Sequence, residues 1–420
     1  MRKVPIPPGF WRGFGPGLLW AAAAIGVSHL VQSTRAGADA GLALAGVILL
    51  ALVLKYPFFE YGPRYAAATG RSLVEGYFRI GRWALWLYLG ITLATAVIVQ
   101  TAVVVFTAFL VNFVLGVSWP LPLTVAVVVG ACAGLLGVGR FRLLDRAVKV
   151  IIAVLAVSTV VAALVTVPRV PWGTSALWPT SNIDPVPFAF LLALVGWMPS
   201  AIDISVWSSL WTLAKNETSG MQASVAAARM DFAIGYGGTG LLAFAFLILG
   251  AGVMYGSGEA FSSQGPVFAT QLVDLYSSTL GAWLRPVVIA AVLTTMISTS
   301  LTVVDGFPRA IERSVLCLVR DSTDVATQGG AVYWTAIALI GGATVSVVIA
   351  LVSGLTTMVD FATIVSFMTA PVLGWLNYRA VTGPEVAPEH RPGPWMRALS
   401  WTGLVLLGGT AIVYVVTLLR

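Results

Sequence analysis

Apolar residues come in long runs along this chain, separated by short segments that gather the arginines, prolines and glycines. Eleven runs are long enough to cross roughly 30 Å of hydrocarbon. They cover residues 15–40, 42–62, 84–113, 121–139, 145–167, 187–213, 227–254, 283–306, 332–353, 358–378 and 398–419. Two of them are interrupted by polar residues. The first, GPGLLWAAAAIGVSHLVQSTRAGADAG, starts as a membrane helix and then meets Gly26, Ser28, His29, Gln32, Ser33, Thr34 and Arg35. A glycine, a titratable ring and several hydroxyls at mid-bilayer depth are costly against lipid, so they predict a helix broken around a cavity or other helices. The sixth, PFAFLLALVGWMPSAIDISVWSSLWTL, carries Gly196, Trp197, Met198, Pro199 and Ser200 near its middle and Asp203 one turn later. Proline removes a backbone donor and crowds the preceding turn, which predicts a kink or an unwound stretch at residues 196–199. A proline kink that serves packing alone is common in membrane helices; Asp203 beside it and the matching interruption in span one favour a binding site.

The interrupted spans are five apart. An odd number of spans per repeat inserts the second copy upside down, and matching broken segments in two such halves mark the midplane site of a secondary transporter. The pattern therefore predicts one transmembrane domain over 1–420. It comprises a repeat over about 15–167, an inverted repeat over about 187–378 and an extra C-terminal helix over about 398–419.

Composition agrees with a membrane chain. Of 420 residues 58% are hydrophobic and only 10% charged, with a mean hydropathy of +0.91, whereas a soluble chain carries about 25% charged residues. The expected class is an all-α polytopic membrane protein. A net charge of +7 invites a nucleic-acid reading, but the basic residues sit in membrane-flanking segments, where they set orientation. With the N-terminus inside, nineteen of the 24 lysines and arginines fall on the cytoplasmic side. These include Arg2, Lys3 and Arg12, the group Arg140, Arg142, Arg146 and Lys149, and Arg309, Arg313 and Arg320. The C-terminus is then outside, in a bacterial-type inner (plasma) membrane. The first run follows basic residues as a signal peptide would, yet its polar second half and the lack of a cleavage site predict that it is retained. Cys132 in a span and Cys317 in a cytoplasmic loop predict no disulfide. Neither a Gly-rich phosphate loop, a nucleophile elbow nor an HExxH motif points to an enzyme.

Some polar positions suit local roles. Arg35 and Asp39, four apart, suit a pair on one helix face. Asp231, Asp305 and Asp360 near span ends suit solvated or capping carboxylates, and Lys55 and Glu60 near the inner end of span two suit snorkelling or pairing. Residues 168–185 and 380–395 read as loops. In the connection 254–282, Val267, Phe268, Leu272, Leu275 and Tyr276 can form one apolar stripe of a helix on the outer face, or an ordinary loop with a helical turn. Span eight is rich in hydroxyls, Ser298 and Thr299 among them, which fit either interhelical hydrogen bonds or a Na⁺ site.

Gly15-Pro16-Gly17, the interruption of span one and Met198-Pro199 in span six resemble the Nramp family of divalent-metal transporters, along nearly the whole chain. The resemblance implies a LeuT-type five-plus-five fold and coupling of manganese or iron uptake to protons. It also implies the motif Asp-Pro-Gly-Asn in span one and Met-Pro-His in span six. Here those positions read Ser28-His29-Leu30-Val31 and Met198-Pro199-Ser200, so the family's site aspartate is missing. Thr363 in span ten stands where the family tends to place a glutamine. The acidic residues of span three and basic residues of span nine have no counterpart in 84–113 and 332–353.

A dehydrated divalent ion needs oxygen, nitrogen or sulfur ligands and usually an anion. The available donors are His29, Met198 and Asp203, with the Ser28 and Ser200 hydroxyls, Thr363 and carbonyls freed around Gly26 and Gly196. His29 is the only histidine within a span, and its ordinary titration near neutral pH makes it the natural proton carrier, with Asp203 next. The leading expectation is a secondary transporter of Mn- or Fe-like divalent ions working by alternating access. The ion is substrate, no resident cofactor is expected, and the partners are that ion and membrane lipid, with monomer and oligomer equally open. The other expectation is a same-fold transporter of an organic acid or other anion, drawn by the exposed helix N-terminus in span one. A membrane sensor or scaffold is disfavoured because no soluble domain is attached.

Overall fold

A computed structural model describes residues 14–138, 141–172, 177–178, 186–258, 260–323, 329–351 and 354–419, with side chains of 141–152 excluded. Arg2, Lys3, Arg12, Arg140, Arg420 and most of the loop 168–185 lie outside the described residues, as do the side chains of Arg142, Arg146 and Lys149. The regular structure among the described residues is all helical, without strands. In chain order the helices are α1 (Pro16–Ala24), a π-helical turn (Ser28–Ser33), α2 (Thr34–Ala40), α3 (Ala45–Thr69), α4 (Leu73–Ile80) and α5 (Arg82–Leu115). Next come α6 (Leu121–Gly137), α7 (Phe141–Thr166), α8 (Phe188–Gly196), α9 (Ile204–Ser219) and α10 (Val225–Val253). The last are α11 (Gly265–Leu280), α12 (Arg285–Arg320), α13 (Ala331–Leu351), α14 (Leu355–Val381) and α15 (Pro394–Leu418).

By length and composition seven of the described helices can cross a membrane: Ala45–Thr69, Arg82–Leu115, Val225–Val253, Ala282–Arg320, Ala331–Leu351, Leu355–Val381 and Pro394–Leu418. Leu121–Gly137 and Ala153–Arg169 are shorter apolar helices. Spans one and six are each divided into two half-helices, so neither supplies an uninterrupted crossing. The halves are held by continuous neighbours: α1 and α2 lie on α10, α8 on α14, and α9 on α3, while α5 and α12 pack together beside α1.

The start of α1 is buried and must find acceptors for its free amides. Asp231 on α10 provides them, accepting from Gly15 N at 3.2 Å and Gly17 N at 2.7 Å. The carboxylate also sits at the positive end of that helix. Asp231 therefore caps a different helix from its own.

Several expected boundaries move. Between spans two and three, residues 73–80 form α4, begun by a capping box in which Ser72 and Glu75 bond each other's ends. Helix α12 runs on to Arg320, so Cys317 is a buried helical residue with a free thiol and lies outside any loop. Asp305 is likewise internal to α12, bonded to Arg309 at 2.7 Å and accepting from Tyr333 at 2.7 Å. Arg35 pairs with Asp360 of α14 at 2.8 Å instead of Asp39, because α14 brings a carboxylate directly against α2. Helix α11 forms as the stripe required, burying Phe268, Leu272, Leu275 and Tyr276 against α5, α7 and α12 while Val267 stays exposed.

Candidate functional site

Helix α1 stops because Ile25 turns to extended backbone, with φ −78° and ψ 97°. The chain re-enters helix through wide π-type turns from Ser28, leaving the carbonyls of Ala24 and Ile25 without the amides four residues on. Both are met by hydroxyls. Ser28 Oγ donates to Ala24 O at 2.8 Å, and Thr299 Oγ1, from α12, donates to Ile25 O at 3.2 Å. The close approach of α12 is why Gly26 has no side chain: a Cβ there would lie 2.9 Å from Thr299 Oγ1 and Cγ2.

The second interruption is treated differently. Helix α8 ends at Gly196, Met198-Pro199 is a cis peptide, and α9 begins at Ile204. Proline cannot extend α8, and the chain stays non-helical to Ile204, so the carbonyls of Gly196 and Ser200 have no backbone donor among the described residues and that of Val195 keeps only a turn bond from Met198 N at 3.2 Å. Lys55 of α3 answers them, its ammonium donating at 3.0, 2.9 and 2.7 Å respectively. All three N–H donors of the lysine are thus used, at the negative end of α8, where a cation is favoured. Lys55 is only 1% exposed, and the Phe59 ring lies 5.5 Å from its nitrogen. It neither snorkels nor pairs with Glu60, whose carboxylate is taken by Arg64 and Arg229 at 2.8 and 2.6 Å. Gly196 is required here too, since a Cβ would stand 2.0 Å from Thr363 O on α14.

Between the two interruptions lies a cavity of about 40 Å³, lined among others by Gly26, Ser28, Ser200, Asp203, Trp207 and Thr299. That is room for two or three waters or one ion. Asp203 is 2% exposed, and its Oδ1 is buried without a hydrogen-bond partner, as is Nε1 of Trp207. Asp203 immediately precedes α9 and makes no side-chain cap bond, so its carboxylate sits at the positive end of a helix without being used to cap it. The rest of the lining is largely apolar, with Ala23, Val99, Val103, Ile204 and Phe307 among it, so a buried carboxylate oxygen without a partner in a residue at its edge is a group that calls for a water or an ion.

The expected site residues divide into two sets. Gly26, Ser28, Ser200, Asp203 and Thr299 come together at the cavity. His29, Met198, Thr363 and Ser298 are buried but outside its lining. His29 turns towards α10, where Nε2 lies 3.0 Å from Thr239 O, Nδ1 lies 2.7 Å from Ser28 Oγ, and the ring meets Phe246 edge-on at 6.4 Å. Both ring nitrogens are therefore engaged. Thr363 bonds its own helix and accepts from Gln32 Nε2 at 3.4 Å. The set His29, Met198 and Asp203 is thus not assembled around one point. No group of three or more His, Cys, Asp or Glu side chains among the described residues could hold a metal ion.

Sequence reasoning missed Lys55, Trp207 and Gln32 as site residues. Lys55 carries a signal, being a lysine well inside the apolar run 42–62. It was assigned to a span end because the helix was cut at 62, whereas α3 continues to Thr69 and puts Lys55 near its middle. Gln32 donates to Asp360 at 2.9 Å, and Asp360 with Arg35, whose guanidinium lies 4.7 Å over Phe190, lines a second cavity of about 370 Å³ that also meets Asp39. Where the resemblance implied charged residues in spans three and nine, the neutral pair Gln100 and Thr344 joins α5 to α13 at 3.2 Å.

Two helices interrupted at facing points within a membrane-type bundle, with a small cavity between them that Asp203 and three hydroxyl residues help to line, define the class as a membrane transporter. Solved structures share this fold. The manganese transporter of Eremococcus coleocola aligns with a TM-score of 0.74 at 15% identity, covering 98% of this chain and 88% of that one. MhsT in complex with L-phenylalanine aligns at 0.57 and 14% identity (94% and 97% covered), and the nucleobase-cation-symport-1 transporter Mhp1 at 0.54 and 15% (96% and 92%). An uncharacterized protein of Pasteurella multocida (strain Pm70) is 34% identical over 411 residues, 96% of this chain and 92% of that protein. The family described as natural resistance-associated macrophage protein-like (Nramp) matches over residues 17–417, and this chain belongs to it. The family is one of transporters and not of enzymes.

Proposed function

We propose that this protein is a secondary transporter of divalent transition-metal ions and that it takes the ion between its two broken helices. The observation that carries this reading is Asp203, which lines the cavity at the interruptions and whose Oδ1 is buried without a partner. It supplies, from span six, the anion that span one lacks. Hydroxyls of Ser28, Ser200 and Thr299 at the same cavity supply further oxygen ligands, a donor set suited to manganese- or iron-like ions that keep part of their water. Family membership and the manganese transporter among the fold neighbours support the metal reading. An organic acid is opposed by the same carboxylate and by a cavity of about 40 Å³.

In this proposal the chain crosses the membrane eleven times, as two inverted repeats of five and one extra helix, with the N-terminus cytoplasmic in a bacterial-type inner membrane. Spans one and six move against spans three, four, eight and nine in alternating access. His29 is the proton carrier for coupled transport: its ring lies between Ser28, which bonds the Ala24 carbonyl, and Thr239, so a proton gained on Nδ1 stays on the ring, turns that nitrogen from acceptor to donor and leaves the Ser28 hydroxyl to the Ala24 carbonyl of the broken helix.

The test is calorimetric titration of the purified protein with Mn²⁺, Cd²⁺, Na⁺ and small organic acids. The expected outcome is a heat with Mn²⁺ or Cd²⁺ that Asp203→Asn abolishes and Met198→Ala keeps. A heat for an organic acid with silent metals overturns the reading.

A further inference from the structure

The Lys55 ammonium occupies the position that a bound cation would take at the span-six interruption. Carbonyls released where a membrane helix unwinds are the groups with which such proteins hold inorganic cations. Here the carbonyls of Gly196 and Ser200, which have no backbone donor among the described residues, and that of Val195, which also takes a turn bond from Met198 N, all accept from one nitrogen within 3.0 Å. No carboxylate lies within 4.0 Å of that nitrogen among the described residues, so the carbonyl dipoles are what hold the charge in place. Ser200 is shared: its carbonyl binds Lys55 while the residue also lines the cavity that holds Asp203.

We infer that Lys55 is a tethered cation that determines ion specificity. It fills the carbonyl site of span six and thereby keeps a transported or coupling cation off those oxygens. Two consequences follow from its charge. An ion in the cavity must be held by Asp203 and hydroxyls alone, and it meets a fixed positive charge across Ser200 that opposes a divalent ion more than a monovalent one. This rests on the reading of the cavity as a cation site; the test separates the two.

The experiment uses full-length protein with Lys55→Met, which fills the same space without charge, and Lys55→Ala, which leaves room for a small guest. The expected results are Mn²⁺ affinity about tenfold tighter in Lys55→Met than in the native protein, and a lowered melting temperature in Lys55→Ala. Added n-propylammonium should restore that melting temperature, whereas tetramethylammonium, equally charged but without N–H donors, should not. Should Lys55→Ala not fold, the Lys55→Met titration decides. Should no form bind Mn²⁺, the cation cavity falls while rescue by n-propylammonium still establishes the tethered cation. The inference is overturned when Lys55→Met binds cations as the native protein does and n-propylammonium leaves Lys55→Ala unchanged.

Discussion

The two interruptions solve one physical problem in two ways. Each frees backbone carbonyls inside a hydrocarbon environment, where an unbonded polar group costs several kcal/mol. In span one the solution is neutral: Ser28 comes from the next turn and Thr299 from α12, each covering one carbonyl. In span six the solution is charged and comes from a third helix, with Lys55 covering three carbonyls at once. A hydroxyl that donates one bond keeps two lone pairs for a ligand, so Ser28 and Thr299 can serve backbone and substrate together. An ammonium has no lone pair to offer. The difference teaches that the span-one hydroxyls keep lone pairs to offer beside Asp203, whereas the carbonyls of span six are committed to the protein's own side chain.

The glycines probe this contrast most severely. At Gly196 the obstructing atom is the backbone oxygen of Thr363, 2.0 Å from where a Cβ would stand. Backbone cannot swing aside, so Gly196→Ala should cost about 3 kcal/mol or more and be seen as loss of monodisperse protein on gel filtration in detergent. At Gly26 the obstruction is the end of a side chain, Thr299 Oγ1 and Cγ2 at 2.9 Å. Gly26→Ala should cost less, about 1–2 kcal/mol, and should cost still less in a Thr299→Ala background. Equal melting temperatures for Gly26→Ala and Gly196→Ala would remove the distinction between a side-chain wall and a backbone wall.

How much of this was legible in sequence depends on the length scale of the signal. Polar residues within an apolar run are local, so both interruptions could be read from Gly26-Val27-Ser28-His29 and from Gly196 to Pro199. The family resemblance rested on the same residues. The partners of the freed carbonyls were not legible. Thr299 and Lys55 lie 274 and about 141 positions from the groups they bond, and hydrophobic periodicity carries nothing about contacts of that range. His29 was over-weighted for the same reason. A histidine in a span signals a polar environment, but sequence does not say whether the ring meets an ion or, as here, the carbonyl of Thr239. Arg35 shows the bias towards local pairing: Asp39 is one turn away, yet Asp360 is the partner.

The smallest expected effect concerns Ser28. Its hydroxyl serves Ala24 O at 2.8 Å and lies 2.7 Å from His29 Nδ1. It has a single proton to give. When His29 is neutral with its proton on Nε2, facing Thr239 O, Nδ1 needs that proton and Ala24 O goes without. When the ring is doubly protonated, Nδ1 donates to Ser28 and the hydroxyl is free for Ala24 O. Ser28→Ala removes the choice and leaves both Ala24 O and Nδ1 unserved. Side-chain hydrogen bonds between membrane helices average about 0.6 kcal/mol, and a buried group left unmet adds somewhat more, so a loss of about 1 kcal/mol is expected by thermal unfolding. The loss should vanish in a His29→Phe, Ser28→Ala double variant measured against His29→Phe only if the Ala24 carbonyl contributes nothing. A persistent penalty there would assign it to the broken helix itself, and would mean that span one, like span six, depends on a side chain to quench its freed backbone.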